Sequence, residues 1–123
     1  MSRPKVFVID DDPDTRDALL DILRGEGYDA LGARDALAAL TLMTWQRYTP
    51  DLIIVDLQMP AMTGAQFVEV LAKHPKWKQI PVLVSTGDAS QLDGASHLVA
   101  GVLEKPLELD RTLEVVRSLI AKA

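Results

Sequence analysis

The sequence predicts an α/β fold, a parallel five-stranded sheet wound doubly with helices on both faces. Three observations carry that expectation. Short apolar runs of strand length alternate strictly with stretches of helical periodicity, five times over. The run Leu52-Ile-Ile-Val55 is continuously apolar, as a strand covered on both faces must be. Aspartates close the first and third runs, which puts acidic groups at the carboxyl edge of the sheet, where ligands bind in such folds.

Strand one is Lys5-Val-Phe-Val-Ile9, closed by Asp10-Asp-Asp12. Pro13 stands where a first helical turn accepts proline, and Asp12 supplies an N-cap. Thr15 to Arg24 carries Leu19, Ile22 and Leu23 at helical spacing, and Gly25-Glu-Gly27 stops this first helix. Tyr28 to Leu31 is a short second strand. Arg34 to about Tyr48 reads as helix two, with Ala36, Leu37, Leu40 and Met43 or Thr44 inward and Thr49-Pro50 as its end. Strand three is the buried run ending in Asp56; Pro60 cannot donate into a ladder, so the strand is over by then. Met62-Thr-Gly64 is a turn into helix three, whose stripe is Phe67, Val70 and Leu71 and whose stop is Pro75. Ile80-Pro-Val-Leu-Val-Ser85 is strand four, with Thr86-Gly-Asp88 as its loop. Helix four is expected within Ser90 to Ala100, interrupted by Asp93-Gly94. Gly101-Val-Leu-Glu104 is strand five, ended by Lys105-Pro106. Leu109, Leu113, Val116 and Ile120 place helix five from about Leu109 to Lys122.

Five such units with right-handed crossovers make the flavodoxin-like (βα)5 sandwich, strand order 2-1-3-4-5, the leading topology. Its switch point lies between strands one and three, the two that end in aspartates. The 123 residues suffice for one core and one domain, residues 1–123. There is no cysteine, hence no disulfide framework and no thiolate metal site. No apolar run approaches the ~20 residues of a membrane span, and Met1 to Lys5 enter a strand without a signal-peptide core. A cytoplasmic protein without a membrane partner is expected. A net charge of -5 with scattered Lys and Arg argues against direct nucleic-acid binding.

The topology gathers Asp10, Asp11, Asp56, Thr86 and Lys105 at one edge. Unit charges of like sign 4 Å apart cost about 4 kcal/mol at an effective dielectric near 20. Three carboxylates therefore need a cation, a neutralising ammonium or shifted pKa values. Oxygen ligands with room for water suit Mg²⁺. Lys105 supplies a point charge and Thr86 a hydroxyl donor. These parts suit the receipt of a phosphoryl group on a carboxylate.

Val8-Ile-Asp-Asp-Asp-Pro13, Asp56-Leu-Gln-Met-Pro60 with Met62-Thr-Gly64, Pro81-Val-Leu-Val-Ser-Thr86-Gly87 and Glu104-Lys-Pro106 follow one another, each at a strand end. In that order they resemble the receiver domain of two-component response regulators, over nearly the whole chain. The resemblance implies that Asp56 takes phosphate from a phosphohistidine on a sensor histidine kinase or a histidine phosphotransfer protein. It implies Mg²⁺ on Asp10, Asp11, Asp56 and the backbone carbonyl of Gln58. Lys105 would pair with the phosphoryl group, and Thr86 would move toward it as a switch. The Lys105-Pro106 bond would be cis. The only catalysis implied is of the chain's own phosphorylation and dephosphorylation. A downstream protein target is implied, with homodimerisation through the helix 4–strand 5–helix 5 face.

Three positions depart from the family pattern. Val102 stands where the switch tyrosine or phenylalanine usually does. The span from Thr86 to Lys105 is a few residues short. Gln58, two after the phosphoacceptor, is long enough to approach the attacking water and is expected to tune the phosphoryl lifetime. Two further readings remain from other classes. One is a degenerate receiver working unphosphorylated as an interaction module. The other is a metal-dependent phosphohydrolase, which wants a general acid where Gln58 stands. Few residues follow helix five, so a stand-alone receiver or an excised piece of a hybrid kinase or larger regulator is expected. Trp45 and Trp77 read as partial surface packing, and His74 and His97 as surface residues. Val115 and Leu119 are either extra core or a partner surface.

Overall fold

The computed structural model describes residues 3–92 and 94–122. Strands β1 (Lys5–Ile9), β2 (Asp29–Ala33), β3 (Leu52–Asp56), β4 (Val82–Thr86) and β5 (Gly101–Glu104) form one parallel sheet, ordered β2-β1-β3-β4-β5. This is the expected topology. Helices α1 (Pro13–Gly25), α2 (Ala36–Trp45), α3 (Gly64–Ala72) and α4 (Leu109–Ala121) cover its two faces.

Period-two alternation along the strands splits the core in two. Phe7, Ile9, Ile53 and Val55 pack with Ala36, Ala39 and Met43 of α2 and Phe67 and Leu71 of α3. Val6, Val8, Leu52 and Ile54 pack with Leu19 and Leu23 of α1 and Leu113 and Val116 of α4. Each of the larger side chains here, Val, Leu, Ile, Phe or Met, contributes about 1.5–3 kcal/mol on burial, so both layers hold β3 in place. All of β3 and β4 is buried.

Register decides what reaches the carboxyl edge. Ile9 pairs with Val55, Asp56 with Ser85, and Thr86 with Glu104. The ends of β1, β3, β4 and β5 are therefore level, and the residues at or just after them share one edge.

Several expectations are corrected. Among the described residues no α-helix lies within Ser90 to Ala100, where one was expected; its place is taken by two 3-10 turns, Ala89–Leu92 and Ser96–Leu98. Gly94 lies between them at φ 73°, while Asp93, the other half of the expected interruption, is outside the described residues. Strand two is Asp29–Ala33 rather than Tyr28 to Leu31, because its ladder with β1 runs on to Ala33. In α2 Leu37 is 54% exposed, and Ala39 takes the inward place. In α3 Val70 is at the surface and Val68 is buried. Trp77 is buried, in a 3-10 turn (Trp77–Gln79) with the His74 ring stacked on it at 3.7 Å between centroids. His97 is exposed, as expected, whereas Trp45, expected to pack partially, is 81% exposed at the end of α2. Val115 and Leu119 are half-buried against the α1–α4 core.

Candidate functional site

Asp10 leaves β1 directly after Ile9, and its backbone N–H donates to Ala33 O at 3.1 Å. It is buried, while Asp11 beside it is exposed. Asp12 caps α1, accepting at its carboxylate from the N–H groups of Asp14 and Thr15, with Pro13 at the first turn as expected. Asp12 thus belongs to the helix, and Asp10 and Asp11 are left to face the sheet edge.

Asp56, the last residue of β3, is buried. Its Oδ1 accepts from the Gln58 N–H at 3.1 Å, and its Oδ2 lies 3.2 Å from Lys105 Nζ. The same ammonium is 3.7 Å from Asp10 Oδ2. Lys105 follows β5, its N–H donates to Thr86 O at 2.9 Å, and the Lys105–Pro106 peptide is cis. Carboxylate oxygens of Asp10, Asp11 and Asp56 all lie within 4.8 Å of one another.

Asp10 is held above the ordinary carboxylate range. Burial is the largest cause; the Asp12 N–H and Lys105 oppose it, and the charges of Asp56 and Asp11 reinforce it. Lys105 is held above the ordinary range for an ammonium. Burial alone would lower it, and Asp10 and Asp56 outweigh that. Three carboxylates against one ammonium leave the cluster two negative charges in excess.

One oxygen reveals what the cluster lacks. Asp10 Oδ1 accepts from the Asp12 N–H at 2.9 Å, but Asp10 Oδ2 is buried with no hydrogen-bond partner among the described residues. Such a group is costly unless something outside the chain satisfies it. An orphaned buried carboxylate oxygen, two further carboxylates within reach and two uncompensated charges fit a hard divalent cation.

Comparison with known proteins agrees with this geometry. Residues 6–117 match the family model described as the response regulator receiver domain. The chain belongs to the response regulator receiver family. It is 26% identical over 121 residues to the polar-differentiation response regulator DivK of Brucella anthropi, covering 96% of this chain and 97% of that one. It is 30% identical to the DNA-binding response regulator MtrA of Mycolicibacterium smegmatis, but spans only 50% of MtrA's length. Among solved structures it superposes on the response regulator TrrA of Thermotoga maritima, in complex with Mg(2+)-BeF. There the TM-score is 0.82 at 26% identity, covering 94% of this chain and 98% of TrrA. Receiver domains are modules of two-component signalling, and this receiver carries its acidic cluster at the carboxyl edge of its sheet.

The remaining residues named from sequence fall in and around this cluster. Thr86 is buried at the end of β4, but its hydroxyl serves its own loop. It donates to Asp88 O at 3.0 Å and accepts from the Asp88 N–H at 2.9 Å, so it bonds to Asp88 rather than to Asp56. The Gln58 side chain is exposed and donates to Gln91 Oε1 at 3.1 Å, joining the β3–α3 loop to the 3-10 turn after β4. Val102 is 39% exposed on β5.

Sequence reasoning passed over two features of this receiver that hold Asp56 in place. Thr63 and Gln66 form a reciprocal capping box at the start of α3, legible as T-x-x-Q. Gly64 follows, its N–H donating to Leu57 O at 2.9 Å. A Cβ there would stand 2.5 Å from Asp56 O and 2.7 Å from Leu57 Cα, so only glycine lets α3 begin against the end of β3. No local pattern announces that closeness.

No described helix is long and apolar enough to cross a membrane.

Proposed function

We propose that this receiver, residues 1–123 taken as one domain, takes a phosphoryl group onto Asp56 from a phosphohistidine of a sensor histidine kinase or phosphotransfer protein. Transfer breaks the N–P bond of the donor and makes an O–P bond at an Asp56 carboxylate oxygen. The observation that carries the reading is the buried pairing of Asp56 Oδ2 with Lys105 at 3.2 Å, beside the orphaned Asp10 Oδ2. The ammonium sits where it can follow the charge from the carboxylate to the incoming phosphoryl oxygens.

Asp10, Asp11, Asp56 and the backbone carbonyl of Gln58 would hold Mg²⁺. When bound, the ion supplies positive charge against the acidic cluster and the phosphoryl oxygens. The chain's own groups do the rest. Burial of Asp56 between β1 and β4 limits the approach to the carboxyl edge of the sheet. The Gln58 N–H fixes the Asp56 carboxylate through Oδ1.

Thr86 is the switch in this reading. Its hydroxyl would give up the two bonds to Asp88 and turn to the phosphoryl group, drawing the β4 loop with it. The outcome is a population shift read by a downstream protein. The Gln58–Gln91 bridge spans the same loop, so its rearrangement belongs to the same event. Output runs through this loop and the β5–α4 face, with Val102 in the place of the usual aromatic. That face would also serve for homodimerisation.

The test is incubation of the chain with a small-molecule phosphodonor and Mg²⁺, followed by intact-mass measurement. One added phosphoryl group is expected, absent in Asp56→Asn and absent when the metal is chelated. A wild-type chain that stays unmodified while its fold is intact would leave the unphosphorylated interaction module as the better reading.

A further inference from the structure

The Asp10 carbonyl lies past the end of the β1–β2 ladder, whose last pair is Ile9 with Ala33. No strand partner remains for it. Arg16, one turn into α1, reaches back and donates from Nη1 to that carbonyl at 2.8 Å. The route is narrow. A Cβ on Gly32 of β2 would stand 2.9 Å from Leu20 Cδ1, 3.1 Å from Arg16 Cδ and 3.3 Å from Arg16 Cγ, so the arginine stem lies over the bare glycine beside a Leu20 methyl.

We infer that Arg16 is a positioning residue for the acidic pair, locking the peptide plane between Asp10 and Asp11 across Gly32 so that both carboxylates converge with Asp56. The inference rests on the metal-binding reading proposed above and goes beyond it. The carbonyl that Arg16 holds and the N–H of Asp11 belong to one rigid peptide unit. Fixing that unit fixes the direction in which each aspartate leaves the backbone. The Asp10 main chain is then held at both ends, by Ala33 O on its N–H and by Arg16 on its C=O. The Asp12 N–H holds Oδ1, and Oδ2, which has no hydrogen bond among the described residues, is turned toward Lys105 and the cluster. Arg16 touches neither Asp56 nor any carboxylate of the cluster among its hydrogen bonds and ion pairs. It acts through the backbone of Asp10 alone. The planar guanidinium suits this better than a flexible ammonium, because its donors are set in a fixed fork.

The test is a Mg²⁺ titration of the unphosphorylated full chain, followed by NMR shifts of the backbone amides, with no phosphodonor present. Arg16→Met keeps an apolar stem over Gly32 and removes the donor. Its Mg²⁺ dissociation constant is expected to rise about tenfold, the scale of losing an outer-shell partner. Arg16→Lys recovers part of that loss. Gly32→Ala, with Arg16 still in place, weakens binding in the same direction because its Cβ displaces the stem. At saturating Mg²⁺, phosphorylation by a small donor falls by much less than affinity does, since Asp56 and Lys105 are untouched. An Arg16→Met chain that is folded and binds Mg²⁺ as the parent does would overturn the inference. If Arg16→Met does not fold, an unchanged affinity in both Arg16→Lys and Gly32→Ala overturns it instead. A parent chain that binds no Mg²⁺ refutes the metal site itself, a separate failure visible before any variant is made.

Discussion

Gly64→Ala is the substitution whose sign follows most directly from the coordinates. Alanine is the better helix former, by up to about 1 kcal/mol in a helix interior, and Gly64 is the first residue of α3. Propensity alone would predict stabilisation. The new Cβ, however, would stand 2.5 Å from Asp56 O, 2.7 Å from Leu57 Cα and 3.1 Å from Asp56 C. All three are main-chain atoms of β3 and its exit, and no rotamer change moves them aside. Overpacking costs about 1–3 kcal/mol even where side chains can yield, and here the backbone must shift. The steric cost wins. A net loss of about 2 kcal/mol is expected, and for a chain of this size that lowers the melting temperature by roughly 8 °C. Gly25→Ala is the internal control. Gly25 ends α1 with nothing within 4 Å of its would-be Cβ and no left-handed φ, so alanine there should stabilise by about 0.4–1 kcal/mol. Urea unfolding of both variants, followed by circular dichroism without metal, gives the two signs side by side. A Gly64→Ala chain as stable as the parent would refute the reasoning, because it would mean that the β3–α3 junction is loose. The displaced Asp56 carbonyl should also weaken Mg²⁺ binding in this variant, while Gly25→Ala leaves it alone.

Further outcomes are expected at three places in the chain. Mg²⁺ at a hundred times its dissociation constant should stabilise the fold by about 2.7 kcal/mol, read as a shifted urea midpoint. Asp11→Ala should lose that gain, and equal stabilisation of parent and variant would remove Asp11 from the site. Tyr48 packs edge-on to Phe7 at 5.0 Å, and its buried hydroxyl has no hydrogen-bond partner among the described residues. Tyr48→Phe should therefore be neutral or stabilising by up to about 1 kcal/mol in thermal unfolding, and a clear loss would point to a partner for that hydroxyl. Burial, with Asp29 and Asp51 adding to it, pushes the Tyr48 phenol up to about 12. The folded chain then keeps a proton that the unfolded chain releases, so stability should fall as pH climbs from about 10 toward 12, a loss absent from the phenylalanine variant. Gln58→Ala and Gln91→Ala each remove the same side-chain bridge, so they should change the phosphoryl lifetime in the same direction. Opposite changes, measured by the decay of the phosphorylated mass, would mean that Gln58 acts on the reaction without Gln91.

What could be read in the sequence is what local pattern controls. Four of the strands were legible because an apolar run marks each of them, and β1 and β5 match their expected bounds, while β2, Asp29-Ala-Leu-Gly-Ala33, has no such run and its bounds were misread. Asp10, Asp11, Asp56 and Lys105 could be gathered from sequence because strand order and strand ends suffice to place them. The direction of a side chain did not follow so readily. Leu37 and Val70 fit a helical stripe by spacing, yet Ala39 and Val68 are the buried neighbours, since on a helix with few charges several faces look alike. Trp77 was misjudged because its burial depends on the turn Trp77–Gln79 and on the His74 ring, whose Nδ1 accepts from the Lys76 and Trp77 N–H groups. Gly64 and Gly32 were opaque for the same reason. A glycine required by a neighbour distant in sequence looks like any other.

Among the described residues the connection between β4 and β5 carries no α-helix. Gly87 and Asp88 are taken by the Thr86 loop, and Val99 and Ala100 lead into β5, Ala100 already donating its N–H to Val82 O. Residues 89–98 remain, and Gly94, at φ 73°, stands in their middle in a conformation that no right-handed helix contains. Two short 3-10 turns lie on either side of it, and Leu92 and Ala95 are the buried contacts that hold the segment down. Such turns have poorer hydrogen bonds than an α-helix and a smaller apolar face to release. The segment beside Thr86 and Gln91 is accordingly the least expensive part of the sheet edge to rearrange, which is where the proposed turn of Thr86 toward a phosphoryl group on Asp56 would need a yielding element.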